Sequence, residues 1–501
     1  MRSLNLYRDF SGGLSEAAPD NMMNNELILA QNAVPDDRGG LAKCKGAVRV
    51  NETEFDGEPV SLLVALNDED DNLIPLVFSG TTLRKWDGTV IKDDLPGPPK
   101  DYIVYKDKLW WLDGQKFWQY DGTNVSEVTM NTGGDATVWD TIKTCDFVEQ
   151  RGQRFFYAKK GTNLIYFSEI GDPAHIKGTS EIQAITNDED TITGLKEFSD
   201  ALLVFKQNAI FAMRGWDFAE GSDIRFDRLM VSKGTVSQNT IQRVENALVY
   251  MADDDVYALT SPYPSLLASV KISDQKISKV IRNAINKEKA TAIYYNGAYR
   301  LSLCTEGTEN NVEYRYYPNL KAWYGPFTLP AKCYYIRQSD NKLFGGSANT
   351  GLIYELGTGY NFDGQPIPFK VITKPFDLVG RMVQDAKIKK AYIAVRQYGP
   401  ESSTLRVNLK TDYVDTAFNL KLDESFIWGE ALWGEAIWGW IDTVTKEMKI
   451  GEKGKRVQVT IENNEIDQPV TIYGLGFMFK AKKPKASKLG VAKEANPYAT
   501  D

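Results

Sequence analysis

The sequence predicts an all-β protein: a degenerate β-propeller of about seven blades, then a small β-sandwich, with an extended N-terminal arm ahead of both. Three observations carry this. Aromatic residues make up 12% of the 501 residues, with 25 Tyr, 22 Phe and 11 Trp, and aromatic side chains favour strands. Glycine is frequent, at 40, as many tight turns require. Short apolar strands closed by turn residues recur at intervals that suit propeller blades.

Residues 1–50 are rich in Asn and Gly and irregular. Pro19-Asp20-Asn21-Met22-Met23 predicts a turn into a short helix, followed by the apolar stretch Leu27 to Ala33 and a turn at Asp36-Asp37-Arg38-Gly39-Gly40. This segment reads as an arm that packs on something larger, with Leu27, Leu29 and Asn32 as candidate docking residues.

Residues 51–374 carry the strand rhythm of the propeller. Val60 to Leu66, Leu73 to Phe78 and Thr82 to Trp86 are strands, the last ended by Asp87-Gly88. The next unit repeats the plan and ends at Tyr120-Asp121-Gly122. Looser equivalents follow. With Leu83, Phe117, Ile165, Ile210, Val256, Tyr314 and Ile353 as markers, the gaps run from 34 to 58 residues. Blades of four strands repeat at roughly 40–50 residues, so seven markers predict about seven blades. WD40 and kelch signatures are absent. After Ser273-Asp274, Ile277, Val280, Ile281, Ala284 and Ile285 share a helical face, which predicts a helix between blades.

After Lys374-Pro375 the strands alternate as in a sandwich: 387–395, 404–409, 456–461 and 470–477. The sandwich is assigned to 375–480. The remainder, 481–501, is Lys-rich and reads as a flexible, solvated tail.

Composition excludes several functions. One histidine rules out a multi-histidine metal site within one chain and leaves a single candidate for His-based acid–base chemistry. That residue, His175, lies in a loop with no nucleophile or orienting carboxylate evident nearby, and a structural role is favoured. The acidic turns Asp68 to Asp71, Asp188 to Asp190 and Asp253 to Asp255 could attract a cation. The best of them places Leu73 and Ser79 where an EF-hand loop needs Gly and Glu, so solvated hairpin turns are favoured. The four cysteines are scattered, as small buried residues of a chain made in a reducing cytoplasm. No secretory signal and no apolar run of membrane-spanning length is evident. No P-loop, nucleophile elbow or dinucleotide fingerprint occurs. No catalytic residue, metal or cofactor is assigned. A net charge of −8 argues against wrapping nucleic acid, which needs clustered cations.

The oddest segment is 427–440, where Trp428, Trp433 and Trp438 recur every five residues and Trp440 follows. Five matches neither the helical period nor strand alternation. Burial between the two domains and a subunit or partner contact are the two main readings, the second because Trp is enriched at interface hot spots.

Taken together, these features resemble the tail nozzle and packaged-DNA stabilisation proteins of tailed bacteriophages. The arm carries the motif-like part: Gly12-Gly13-Leu14, Pro19-Asp20-Asn21, Ala30-Gln31-Asn32 (a helix end in the family pattern), and Gly40 to Gly46, where Cys44-Lys45 stand in place of an Arg-Pro pair. The resemblance implies a homo-oligomeric ring, most often a hexamer, below the portal and its adaptor ring, in contact with tail fibre or distal tail proteins. Such a ring retains packaged double-stranded DNA and passes it through its lumen without sequence recognition. It implies a virion protein of the phage tail or neck, made in the host cytoplasm and without enzymatic activity. The alternatives are a glycan-binding or glycan-degrading propeller tail protein and a cytosolic propeller scaffold.

Overall fold

The computed structural model describes residues 3–67, 73–177, 181–183, 190–215, 224–263, 266–379, 384–396, 398, 404–422 and 443–482. Among them the chain forms seven antiparallel propeller blades. Six are four-stranded sheets, at 60–92, 101–127, 147–183, 192–228, 242–271 and 291–327. The seventh is built from 333–356 and is closed by a strand from the other end of the chain.

All seven sequence markers fall on the third strand of their blades. Leu83 lies in Thr82–Lys85, Phe117 in Phe117–Tyr120, Ile165 in Leu164–Phe167 and Ile210 in Ile210–Arg214. Val256 begins Val256–Tyr263, Tyr314 lies in Val312–Tyr317 and Ile353 begins Ile353–Leu356. The turn that leaves this strand explains the shared Asp-Gly ending. Asp87 Oδ1 accepts the Thr89 N–H at 2.9 Å, and Asp121 Oδ1 accepts those of Thr123 and Asn124 at 2.9 and 2.7 Å. The following glycines, Gly88 and Gly122, sit at φ 92° and 94°, where a side chain would be strained. Between blades the strands bury aromatic cores. Phe78 of the first blade meets Trp111 of the second edge-on, ring centroids 5.2 Å apart.

The first fifty residues are extended and their strands join both the propeller and the sandwich. Ala47–Arg49 is the fourth strand of the seventh blade, antiparallel to Ile353–Leu356, with Leu356 opposite Ala47 and Tyr354 opposite Arg49. The expected helix near Met22 is absent. Residues 19–22 turn, and Glu26–Gln31 is a strand antiparallel to Phe369–Thr373. Tertiary pairing overrides local preference here, since a segment this short forms a helix only if its surroundings favour one.

The sandwich is correspondingly larger than 375–480. One sheet joins Ala33–Pro35 and Leu41–Lys43 to Thr471–Ala481, Ala386–Arg396 and Thr443–Lys449, with Ser3–Tyr7 also paired to Thr471–Ala481. The other joins Gly13–Leu14, Glu26–Gln31, Phe369–Thr373, Arg456–Asn463, Thr404–Thr411 and Asp415–Lys421. Inward-facing Val457, Val459 and Ile461 alternate with half-buried residues along their strand, the period-2 pattern of a one-sided sheet. One hydrophobic core runs from these strands through the fifth and sixth blades.

Helix Ser278–Asn283 lies between the fifth and sixth blades. Ile277 and Ile281 are buried, while Ile285 is exposed. A second helix, Ala136–Ile142 between the second and third blades, is not foreseen from sequence. Asp135 caps it by accepting the N–H groups of Thr137 and Val138. Among the described residues no helix is long and apolar enough to cross a membrane.

Candidate functional site

The propeller bore and the junction between propeller and sandwich each bring polar side chains from distant elements together.

The first strands of neighbouring blades pack on one another around the propeller axis, Asp101–Tyr105 on Phe147–Arg151 and that strand on Ile192–Phe198. Strand alternation sends Ile103 and Tyr105 into the inter-blade core and leaves Tyr102 and Val104 exposed. Asp101, at the head of its strand, crosses the bore. Its Oδ2 accepts the Val148 N–H of the third blade at 2.8 Å and also the Gln238 Nε2 from the turn before the fifth blade. Its Oδ1 accepts the Tyr102 N–H at 2.9 Å. Gln238 Oε1 accepts the Leu195 N–H of the fourth blade at 3.0 Å. Glu149 of the third blade pairs with Lys196 Nζ at 3.1 Å and accepts the Glu197 N–H at 3.2 Å. Four consecutive blades are thereby tied through side chains that span the bore. Burial pushes the Asp101 carboxyl up to about 7, against its main-chain hydrogen bonds and with the Glu149 charge adding to the rise. Burial also raises Glu149, and Lys196 opposes this. A perturbed carboxyl in a cleft can signal catalysis, but here Oδ2 holds blades together and Oδ1 is engaged by the next main-chain N–H of its own strand.

At the junction, Asn32 is fully buried in a left-handed conformation at φ 51°. Its Nδ2 donates to Thr328 Oγ1 at 3.0 Å and to the Pro368 carbonyl at 2.9 Å, and its Oδ1 accepts the Thr328 N–H at 3.0 Å. Thr328 follows the sixth blade, and Pro368 precedes a sandwich strand. Leu27 is buried in the same strand layer, opposite Thr373, and the half-buried Leu29 lies opposite Ile372. The sixth blade receives the rest of the N-terminal segment as well. Tyr324 Oη donates to the Phe10 carbonyl at 2.9 Å, and the Asn32 N–H donates to the Pro326 carbonyl at 3.0 Å.

Trp428, Trp433, Trp438 and Trp440 lie outside the described residues, as do Asp68 to Asp71, Asp188, Glu189 and the tail beyond Lys482. The Trp segment leaves from Asp415–Lys421 and returns to Thr443–Lys449, which end the strand orders of the two sandwich sheets. Asp190 accepts the N–H groups of Gln207 and Asn208, and Asp253, Asp254 and Asp255 are paired with Lys233 and Lys271. His175 sits in the turn after the third strand of the third blade, its carbonyl accepting the Glu169 N–H at 2.9 Å. Among the described residues no group of three or more His, Cys, Asp or Glu is arranged to hold a metal ion.

Sequence reasoning missed the bore set of Asp101, Glu149, Lys196 and Gln238. Each is an ordinary polar residue in sequence, and only blade order brings Gln238 to Asp101, 137 residues away.

Among the described residues the chain is a seven-bladed propeller with a bridged bore, strand-linked to a sandwich. Residues 102–299, from the second blade into the sixth, match the family model Phage_stabilise, "Bacteriophage P22 Gp10, beta-propeller". Over these residues the chain is similar to the propeller of the phage stabilisation proteins. No curated protein matches the chain. Among solved structures it is similar to the extracellular domain of BT4673 from B. thetaiotaomicron, at 9% identity and a TM-score of 0.43, over 90% of this chain and 63% of that one. It is also similar to the Pan2 WD40 domain of Neurospora crassa, at 9% identity and a TM-score of 0.35, over 63% of this chain and 98% of that one. A third is the exo-beta-1,3-galactanase of Phanerochaete chrysosporium, at 8% identity and a TM-score of 0.24, over 83% of this chain and all of that one.

Proposed function

We propose that this protein is a subunit of the head–tail hub of a tailed phage: a homo-oligomeric, hexameric nozzle ring that retains packaged DNA and forms the channel for its ejection. The observation that carries the proposal is the match of residues 102–299 to the phage stabilisation propeller. On this reading the protein resides in the virion, needs no cofactor and catalyses no reaction. Its neighbours are the portal or adaptor ring on one side and tail fibre or distal tail proteins on the other. Trp428, Trp433, Trp438 and Trp440 form a subunit or partner contact, while Leu27, Leu29 and Asn32 dock the N-terminal segment.

The bridged bore bears on where DNA passes. Asp101 and Gln238 span the propeller axis, so the channel is the lumen enclosed by the ring of subunits and not the propeller's own bore. A chain of net charge −8 suits a wall along which DNA must slide, because an acidic surface repels phosphate and few cations are available to hold it.

The test is electron microscopy of the purified protein, alone and mixed with the portal–adaptor ring of the same phage. A ring with its lumen on the six-fold axis, and DNA loss from particles lacking the protein, is the expected result. A monomer that ignores the portal–adaptor ring, with DNA retained in its absence, overturns the proposal. Trp433→Ala is expected to impair ring assembly while leaving the subunit folded.

A further inference from the structure

The sixth blade contains a buried charge cluster that its sheet does not require. Arg300 on Ala298–Leu303 and Arg315 on Val312–Tyr317 lie directly opposite each other, a pairing that costs stability when the charges are alike. Glu313, fully buried, sits between them. Its Oε1 accepts Arg300 Nε at 2.9 Å and Arg315 Nε at 2.6 Å, and its Oε2 accepts the Tyr334 hydroxyl at 2.6 Å. Burial pushes the Glu313 carboxyl up, and the two guanidiniums more than reverse this, down to about 2. The glutamate is therefore ionised, but it is one negative charge against two positive ones.

The surplus charge faces a cavity. Arg300 and Arg315, together with Lys45 from the N-terminal segment, line a space of about 230 Å³ at the seam of the sixth and seventh blades. Its lining contains no carboxylate, while Asn296 and Tyr317 add polar groups. Arg300 is only 7% exposed, and its one hydrogen bond is the Nε contact with Glu313. Among the described residues neither Nη atom has a hydrogen-bond partner. Arg315 lies over the Phe327 ring, 3.7 Å from its centroid, and Lys45 lies 3.8 Å from that of Tyr360. A buried guanidinium with open donors favours a charge-assisted partner, and its planar fork matches an oxyanion better than an ammonium does. The volume holds several waters at about 30 Å³ each, enough for a compact group and far too small for a nucleic acid duplex.

We propose that this cavity is an oxyanion site that takes one phosphate or carboxylate group, bound by the Arg300 Nη fork with Arg315 and Lys45 completing the positive wall. Occupancy ties the sixth blade to the segment that leads into the closing strand of the seventh, so the anion acts as a clasp on the propeller seam. The group comes either from a free anion or from an acidic side chain of a neighbouring copy of this chain.

Thermal unfolding of the full chain with rising inorganic phosphate, at ionic strength held constant with chloride, tests the site. The expected result is a saturable rise in Tm, as for any ligand that binds only the folded state. Lys45→Gln, at an exposed position, is expected to weaken phosphate about tenfold, the loss of roughly one charge-assisted contact. Arg300→Lys keeps the charge beside Glu313 and removes the fork, and is expected to abolish the saturable shift. If that variant does not fold, the Lys45 variant alone decides. An absent or non-saturating shift, or one equal in the wild-type and Lys45→Gln proteins, overturns the proposal. Phosphate that also dissociates self-associated protein identifies a neighbour's carboxylate as the source. Phosphate that leaves association unchanged identifies a free anion.

Discussion

Asn32 and Thr328, 296 residues apart in the chain, share a reciprocal pair of hydrogen bonds. The Asn32 amide nitrogen donates to the Thr328 hydroxyl, and the Asn32 amide oxygen accepts the Thr328 main-chain N–H, each at 3.0 Å. The same amide reaches the Pro368 carbonyl, so one side chain joins the N-terminal segment, the sixth blade and the sandwich. Asn also tolerates the left-handed backbone found at this position. Asn32→Asp keeps the acceptor and the backbone preference but faces the Pro368 carbonyl with oxygen. Asn32→Ala strands buried polar groups and adds backbone strain. Each unpaired buried group costs about 1–3 kcal/mol, so both variants are expected to lower stability by a few kcal/mol, Asn32→Gly less in backbone strain but not in hydrogen bonding. Urea unfolding of the three variants checks this.

Closure of the propeller depends on close backbone approach at Gly46, just before the closing strand. A Cβ there would stand 1.8 Å from the Asn361 carbonyl oxygen and 2.7 Å from its carbonyl carbon. Both are main-chain atoms, so no side-chain rotation relieves the clash. Gly46→Ala is expected to displace Ala47–Arg49 from the seventh blade. Limited proteolysis should show new cleavage around residues 45–50, and the variant should be far less stable than Gly97→Ala, where nothing lies within 4 Å of the added atom.

Glu313 holds two guanidiniums that otherwise repel. Glu313→Gln leaves them with no counter-charge, and breaking a buried ion pair in this way costs about 3–5 kcal/mol. The pH dependence has a definite sign. The folded carboxyl titrates at about 2 and the unfolded one at about 4.3, so the stabilisation is fully present above the unfolded value and disappears as pH falls through the folded one. The stability gap between wild-type and Glu313→Gln should therefore be constant at neutral pH and narrow between about pH 4 and pH 2, as read by denaturant midpoints.

The propeller was legible in the sequence because its third strands carry local signals: an apolar run, an aromatic and, in the first two blades, an Asp-Gly turn whose carboxylate satisfies the next N–H groups. Those signals depend on neighbours only, and they survive degeneration of the repeat. The path of residues 1–50 was not legible for the opposite reason. Ala47–Arg49 finds its partner in Ile353–Leu356, and Glu26–Gln31 finds its own in Phe369–Thr373, each more than 300 residues away. A strand of three to six residues has no period long enough to announce its type. The buried charges were equally silent. Arg300, Glu313 and Arg315 look like solvated strand residues until the fold closes around them.

Asp101 makes the bore pH-sensitive in the sense opposite to Glu313. Its carboxyl is raised to about 7 in the folded protein, chiefly by burial, against an unfolded value of about 4. The folded state therefore holds a proton that the unfolded chain has released across this interval, and stability falls as pH rises from about 4 to about 7, then levels. Asp101→Asn removes the titration. It also forces one amide N–H toward the donors from Val148 or Gln238, at a cost of about 1–3 kcal/mol for the mispaired group. The expected outcome is a protein less stable than wild type at pH 5 but with a flatter pH profile, the two curves approaching each other toward pH 8. Gln238→Ala, which removes the donor that crosses the bore, should lower stability without flattening the profile. A wild-type profile without decline across this range would show that the bore carboxylate is well solvated and that the bridge between the second and fifth blades is open.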